Sequence, residues 1–255
     1  MSVKALTCRF PRPDAVVRLY CFPWAGGGAS FYSNWGKHIP DHIEVYGVCL
    51  PGRETRFKDP VCNNLSQILD EVTSAILSSC KGKPFAFWGH SMGALLTYEV
   101  ARILKLQHNI EPVHMFVSGI SAPHSEKRKK TTLNVREYSK EEFIELMRKL
   151  GGTPKEILEN KDMMDIFVPP LRADYELIPQ FSYDTPASRS AVFSCPVDVF
   201  DGKDDIEHDL QGWKDITTGS FSITMIDGQH FYLKEDYNTI KLCNYINLAL
   251  SGCSL

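Results

Sequence analysis

Phe85-Ala86-Phe87-Trp88-Gly89-His90-Ser91-Met92-Gly93-Ala94-Leu95 joins an apolar run, a G-x-S-x-G pentapeptide and the opening of a helix-patterned stretch that continues to residue 104. A serine on a sharp turn between a buried strand and a helix projects its Oγ clear of both, and glycines two positions either side let the two elements approach closely. Gly89 and Gly93 supply that clearance, which makes Ser91 the candidate nucleophile. The pentapeptide by itself also occurs in ordinary loops. The strand-type run before it and the long Ala/Leu/Tyr/Val helix after it turn the motif into an elbow prediction.

Working outward, strand-like apolar runs stand at residues 16–22, 43–50, 85–88, 113–118, 197–200 and 221–226, and helix-patterned segments alternate with several of them. Leu65, Ile68, Leu69, Val72, Ala75 and Ile76 recur at three- and four-residue steps with Asp70 and Glu71 between them, the pattern of an amphipathic helix packed on a sheet. Parallel strands need crossover connections, so this alternation implies an α/β fold with a mostly parallel central sheet and helices on both faces. With the elbow in place, the expected fold is that of an α/β-hydrolase. No repeat or linker divides the chain, and one domain over residues 1–255 is expected.

Residues 121–190 break the alternation. A basic cluster, Lys127-Arg128-Lys129-Lys130, is read as a solvated loop, with docking of an acidic partner as its functional alternative. Ser139 and Glu142 have the spacing of a capping box, and Gly151-Gly152 supplies a stop. Further helical stretches are expected over 154–160 and 162–168, the last ending at Pro169-Pro170. An insertion here, beside the carboxyl ends of parallel strands, is where a lid over a site would sit. Its apolar residues Leu146, Leu150, Met163, Phe167 and Val168, with Trp24 of an early loop, are candidates to line an apolar pocket. The alternative is ordinary packing of the insertion on the sheet.

Composition narrows the class. A chain of 255 residues with 43% hydrophobic and 23% charged content is that of an ordinary globular protein, and a formal charge of −3 gives no electrostatic case for nucleic acid. No apolar segment reaches the roughly 20 residues a membrane-spanning helix needs, and the start lacks the h-region of a secretory signal, so a cytoplasmic location is expected. Eight cysteines without C-x-x-C spacing read as free thiols, Cys21, Cys49 and Cys195 beside or within buried strands.

A serine hydroxyl is a poor nucleophile near neutral pH and needs a base, which in turn needs an orienting acid. In this fold the chain order is Ser, then Asp or Glu, then His. That order leaves His124, His208 and His230. His230 lies in the turn-rich Asp227-Gly228-Gln229-His230-Phe231 after the last strand-like run, which suits a base. His208, flanked by Glu207 and Asp209 in an apparently helical stretch, reads as a solvated surface histidine, and His124 opens the insertion. For the acid, Asp201-Gly202-Lys203-Asp204-Asp205 follows a strand; Asp205 is the first choice and Asp204 the second, while Asp198 reads as an edge or outward-facing residue. An oxyanion hole would take the Met92 backbone N–H, with a second donor from Pro23-Trp24-Ala25-Gly26-Gly27-Gly28, either Ala25 or Trp24 N–H. The three glycines lack the Lys-Ser or Lys-Thr ending of a phosphate-binding loop.

Taken in order, the elbow, Phe22-Pro23-Trp24-Ala25-Gly26-Gly27, Leu50-Pro51-Gly52-Arg53-Glu54, Leu150-Gly151-Gly152-Thr153-Pro154, Leu171-Arg172-Ala173-Asp174 and His230-Phe231-Tyr232-Leu233 resemble the type II thioesterases, and within them the animal branch. The resemblance spans nearly the whole chain. It implies Ser91 as nucleophile, Asp205 as acid and His230 as base, no metal or redox cofactor, and release of acyl chains from the phosphopantetheine arm of an acyl carrier protein. Two positions depart from many relatives: Gln229 stands where a second glycine precedes the histidine, and Trp24 where the early loop has histidine. A positive φ at Gln229 would strain the loop that carries His230. With His230 as base, activity falls as pH drops through the imidazole pKa, about 6.5 when unperturbed. The same triad would serve a carboxylesterase or lipase, and a silent acyl-binding protein is the alternative outside enzymes.

Overall fold

The computed structural model describes residues 4–151, 157, 159–181 and 191–253. Seven strands form one sheet: β1 (Leu6–Thr7), β2 (Val17–Phe22), β3 (Ile43–Val48), β4 (Phe85–His90), β5 (His114–Ser118), β6 (Val197–Gly202) and β7 (Phe221–Ile226). Their order is β1-β3-β2-β4-β5-β6-β7, all pairings parallel except β1 with β3. β1 is a two-residue edge strand, too short for any periodicity to announce it. The expected mostly parallel sheet with helices on both faces is what the chain forms.

Period-2 alternation explains why. On β2, Val17, Leu19 and Cys21 face one core, while Tyr20 and Phe22 face the other. The first core receives Tyr32 of α1 (Ala29–Ser33) and Leu242, Cys243, Ile246 and Leu250 of α7 (Asp236–Leu250). The second receives the apolar stripe of α2 (Leu65–Cys80), from Leu65 to Cys80, and that of α3 (Met92–His108), including Leu95, Leu96, Val100 and Leu104. Strands buried on both faces must be apolar throughout, which is why they read as continuous runs. All eight cysteines are free, and Cys21, Cys49, Cys80, Cys195 and Cys243 are buried.

Between β5 and β6 lie α4 (Glu126–Thr131), α5 (Lys140–Leu150) and α6 (Lys161–Leu177). The basic cluster is helical rather than a loop: Ser125 caps α4, and Arg128 turns inward to donate to the Pro123 and Phe181 carbonyls. Those carbonyls satisfy a buried guanidinium that charge patterning alone assigns to solvent. The capping box forms as expected, with Glu142 N donating to Ser139 Oγ at 3.1 Å and Ser139 N to Glu142 Oε2 at 2.7 Å. The helix expected over 154–160 falls mostly outside the described residues.

The expected stop at Pro169-Pro170 does not occur, and α6 runs through both prolines to Leu177. Each proline removes an intrahelical donor. Burial of Val168, Leu171, Ala173, Asp174 and Leu177 along one face of the helix offsets that loss and holds the backbone helical. Val168 and Leu171 join Val135, Phe143, Ile144 and Met147 in a separate apolar cluster, against which Ala25 of the early loop also packs.

Candidate active site

Ser91 sits between β4, the central strand, and α3, with φ 56° and ψ −125°. A non-glycine residue in this region carries about 1–3 kcal/mol of backbone strain. Its N–H donates to the Ser118 carbonyl on β5 at 2.8 Å, which holds the turn. A Cβ on Gly89 would run into the Gly93 carbonyl and Thr97 Oγ1, and one on Gly93 into the Phe22 carbonyl. Both glycines therefore do the work the pentapeptide predicts. Ser91 itself remains partly open to solvent.

His230 follows β7. Its Nδ1 donates to Asp205 Oδ2 at 2.6 Å, and Asp205 Oδ1 accepts the Ile206 N–H at 2.7 Å. The Asp205 side chain is 5% exposed and that of His230 31%. Burial opposes the Asp205 charge, but the hydrogen bond and charge of His230, with the charge of His208, hold its carboxyl below the usual carboxylate range. Asp204 is exposed, its N–H used by the Gly228 carbonyl, so of the two candidate acids only Asp205 meets the histidine. Gly202 lets these loops meet, because a Cβ there would strike the Gly228 and Gln229 carbonyls.

The departure at Gln229 costs nothing. The positive φ in this loop falls on Gly228, at 120°, and Gln229 is not among the positive-φ residues. His230 and Asp205 are thus joined directly. Ser91 and His230 share no hydrogen bond among the described residues; His230 reaches the elbow through the ring of His90, 4.8 Å away.

His90 was not singled out by motif reading. It is fully buried, with Nδ1 2.8 Å from Ser118 Oγ, which lies 2.5 Å from the Tyr232 hydroxyl. Burial, followed by the nearby His230, His208 and Lys234 charges, keeps its pKa well below the ordinary imidazole value, so it stays neutral. Gly119 makes room for its ring.

Two sequence readings are corrected by these surroundings. His208 is neither helical nor solvated: its side chain is 8% exposed and its Nδ1 bonds Asp201 Oδ2 at 2.8 Å, with Asp205 Oδ2 at 4.0 Å. The adjacent acids Glu207 and Asp209 suggest solvent, but the chain turns His208 back onto the end of β6. Asp198 is not on an edge, since β6 lies between β5 and β7; it is buried and accepts from His114 and Ser222. His124 bonds Asp215 at 3.1 Å. Among the described residues, Asp201, Asp205 and His208 bring three metal-ligand-type atoms within 4.8 Å of one another, but these residues already serve the two His–Asp hydrogen bonds.

In the early loop, Gly27 N donates to the Trp24 carbonyl at 2.8 Å and Gly26 N to Asp174 Oδ2 at 2.7 Å. The N–H groups of Trp24 and Ala25 have no acceptor among the described residues. Met92 is fully buried and opens α3, where the first N–H groups lack intrahelical acceptors. The Trp24 ring packs edge-on against Phe31, Tyr32, His90 and Phe231, and Lys234 Nζ lies 5.0 Å from its centroid.

Of the candidate lining residues, Val168 is buried, Leu146 and Phe167 are half-buried in the cluster of the inserted helices, and Leu150 and Met163 are 51% and 42% exposed. Phe167 and Leu171 approach Gly26 of the early loop closely. An open cleft of about 640 Å³ is lined by His124, Lys127, Glu207 and His208 among others, and it contains none of the candidate lining residues.

No helix among the described residues is long and apolar enough to cross a membrane. A thioesterase-domain family matches residues 17–248. The chain is 41% identical over 252 residues to the medium-chain S-acyl fatty acid synthase thioesterase of Rattus norvegicus, covering 99% of this chain and 95% of the rat protein. It is 39% identical to the gramicidin S biosynthesis protein GrsT of Aneurinibacillus migulanus, covering 93% of this chain and 91% of that protein. The RedJ thioesterase of the prodiginine pathway in Streptomyces coelicolor superposes with a TM-score of 0.81 at 30% identity, over 94% of this chain and 92% of RedJ. A strand-to-helix serine elbow on a mostly parallel sheet, with family agreement along nearly the whole chain, makes this protein a member of the thioesterase family, built on the α/β-hydrolase fold.

Proposed function

We propose that the protein is a serine thioesterase that hydrolyses acyl groups from the phosphopantetheine arm of an acyl carrier protein, or from coenzyme A. The product is a free medium- to long-chain fatty acid, as for an oleoyl-ACP hydrolase acting beside a fatty acid or polyketide synthase in the cytoplasm. The observation that carries this reading is the 2.6 Å His230–Asp205 hydrogen bond beside an elbow that holds Ser91 at φ 56°. Likeness to the rat synthase thioesterase supports the acyl substrate, and likeness to a gramicidin S protein leaves peptide-synthase carriers as an outcome of the test below.

In the proposed cycle, His230 takes the Ser91 proton as Oγ attacks the thioester carbonyl. The Met92 and Ala25 N–H groups receive the oxyanion, each such donor being worth about 100- to 1000-fold in rate. Collapse breaks the C–S bond, and the imidazolium protonates the departing thiolate. Water, deprotonated by His230, then attacks the acyl-serine; collapse of the second tetrahedral intermediate releases the fatty acid and returns the proton to Ser91. Asp205 fixes the ring tautomer and stabilises the imidazolium.

Residues 121–190 are proposed as a lid within a single domain, with Phe167 beside the Gly26 turn. Within the basic cluster, Lys127 and Lys129 pair with Glu207 and Glu126, so a carrier would have to compete with those partners. The test is a turnover panel of acyl carrier proteins, acyl-CoA and nitrophenyl esters, run with fluorophosphonate labelling. Labelling at Ser91 with preference for carrier thioesters is expected. Preference for oxygen esters would assign the site to a carboxylesterase instead, and no labelling would remove the serine mechanism.

A further inference from the structure

Asp174 lies on α6, one turn beyond Leu171, and its side chain is 1% exposed. Its two oxygens take three hydrogen bonds. Oδ2 accepts from Arg53 Nη1 at 2.6 Å and from Gly26 N at 2.7 Å, and Oδ1 accepts from Arg53 Nη2 at 2.8 Å. Arg53 Nη1 also donates to the Gly27 carbonyl at 3.0 Å. Next in sequence, Glu54 accepts from Ala29 N at 2.7 Å and Ser30 N at 3.1 Å, with its own φ at 47°. Two consecutive residues of the Leu50-Pro51-Gly52-Arg53-Glu54 motif thus bond the later half of the early loop and the start of α1.

We propose that the buried Arg53–Asp174 pair is a positioning clamp for the oxyanion loop, setting the direction of the Ala25 N–H by fixing the peptide units that follow it. The proposal rests on the reading of Ser91 as nucleophile and Ala25 N–H as oxyanion donor. Each peptide unit is planar, so the Trp24 carbonyl and the Ala25 N–H move as one body, with only the φ and ψ of Ala25 before the next. The Gly27 N–H bonds the Trp24 carbonyl, while the clamp holds the Gly26 N–H and the Gly27 carbonyl. The Ala25 N–H, like that of Trp24, has no acceptor among the described residues, and the peptide unit that carries it is tied through the Trp24 carbonyl to the Gly27 N–H.

A buried ion pair is a poor device for stability, since apolar residues of similar volume usually serve as well or better. It is a good device for direction: a carboxylate accepts several donors at once, and a planar guanidinium binds it through two parallel bonds. Neither residue is placed to touch the reacting carbonyl, so the role is positioning.

The test uses the full chain with Asp174→Asn, Asp174→Ala and Arg53→Lys, each checked for a cooperative thermal transition. Three quantities are measured: kcat and KM on acyl-CoA, inhibition by an acyl trifluoromethyl ketone, and binding of an acyl-CoA thioether that has no carbonyl. The ketone forms a hemiketal oxyanion on the serine; the thioether cannot. Misplacing the donor is expected to lower kcat about 10- to 100-fold and to weaken ketone inhibition by a similar factor, with thioether binding and KM within about threefold. Asp174→Asn retains an acceptor for Gly26 N and is expected to lose less than Asp174→Ala. Equal weakening of ketone and thioether, or kcat within about twofold of the parent in both Asp174→Ala and Arg53→Lys, overturns the clamp. Failure of the underlying reading is separable, because it appears in the parent enzyme as resistance to the ketone or in Ser91→Ala as full activity.

Discussion

The His90 ring lies 4.8 Å from the His230 ring, centroid to centroid, at an interplanar angle of 47°, and only His230 of the two reaches solvent. One imidazole is sealed beneath the other. His90, next in sequence to Ser91, thereby forms the floor on which the proposed base rests, and its bond to Ser118 ties that floor to β5.

Truncating this floor tests it. His90→Ala empties a fully enclosed site and removes one of the two partners of Ser118 Oγ, with an expected loss of about 2–5 kcal/mol in folding stability. Urea denaturation measures it, and a change below about 0.5 kcal/mol would show that the packing beneath His230 does not matter.

Asp205 and Asp204 are neighbours with opposite surroundings. Asp205→Asn is expected to lower kcat by about four orders of magnitude by disturbing the tautomer of His230, and Asp204→Asn to leave it within about twofold. Steady-state kinetics on acyl-CoA decides between them; a large defect in Asp204→Asn would move the acid to that position.

Acid should destabilise the fold through depressed carboxyls. Asp198 is held below the ordinary range because His114 and Ser222 outweigh the opposing effect of burial, and Asp205 because His230 and His208 do. A carboxyl with a lowered folded-state pKa contributes stability that is complete above its unfolded value, about 3.9 for aspartate, and is lost as pH falls through the folded-state value. Unfolding free energy followed from pH 6 downwards is expected to decline below about pH 5, less steeply in Asp198→Asn. An identical slope in that variant would contradict the assignment.

Phe167 stands between the inserted helices and the Gly26 turn. Phe167→Ala is expected to shift the preferred acyl length by about two or more carbons, as removal of a ring opens space for extra methylenes, each worth about 0.8 kcal/mol when buried. An unchanged chain-length profile would assign Phe167 to packing alone.

Much of the architecture was legible because its causes are local. Alternation within β2 and the three- and four-residue steps of α2 record which faces are buried, whatever lies opposite. The elbow was legible for a related reason: Gly89 relieves contacts made within a few residues of Ser91, while Gly93 clears the Phe22 and Pro23 carbonyls of the neighbouring strand end. Helix termination at Pro169-Pro170 was misread because local chemistry favours a stop there, while distant packing of Leu171, Asp174 and Leu177 keeps α6 intact. His208 was misread because its charged neighbours suggest solvent, whereas its partner Asp201 comes from the strand end seven residues earlier.

From residues alone came the fold class, the serine at the turn and the candidate order of acid and base, since each depends on spacing along the chain. The tertiary structure decided which aspartate meets His230, that His90 lies sealed beneath it, and that Arg53 and Asp174, 121 positions apart, pair and bond Gly27 and Gly26. The direction of a charged side chain follows the partner that satisfies it, and that partner is chosen by how the chain folds back on itself.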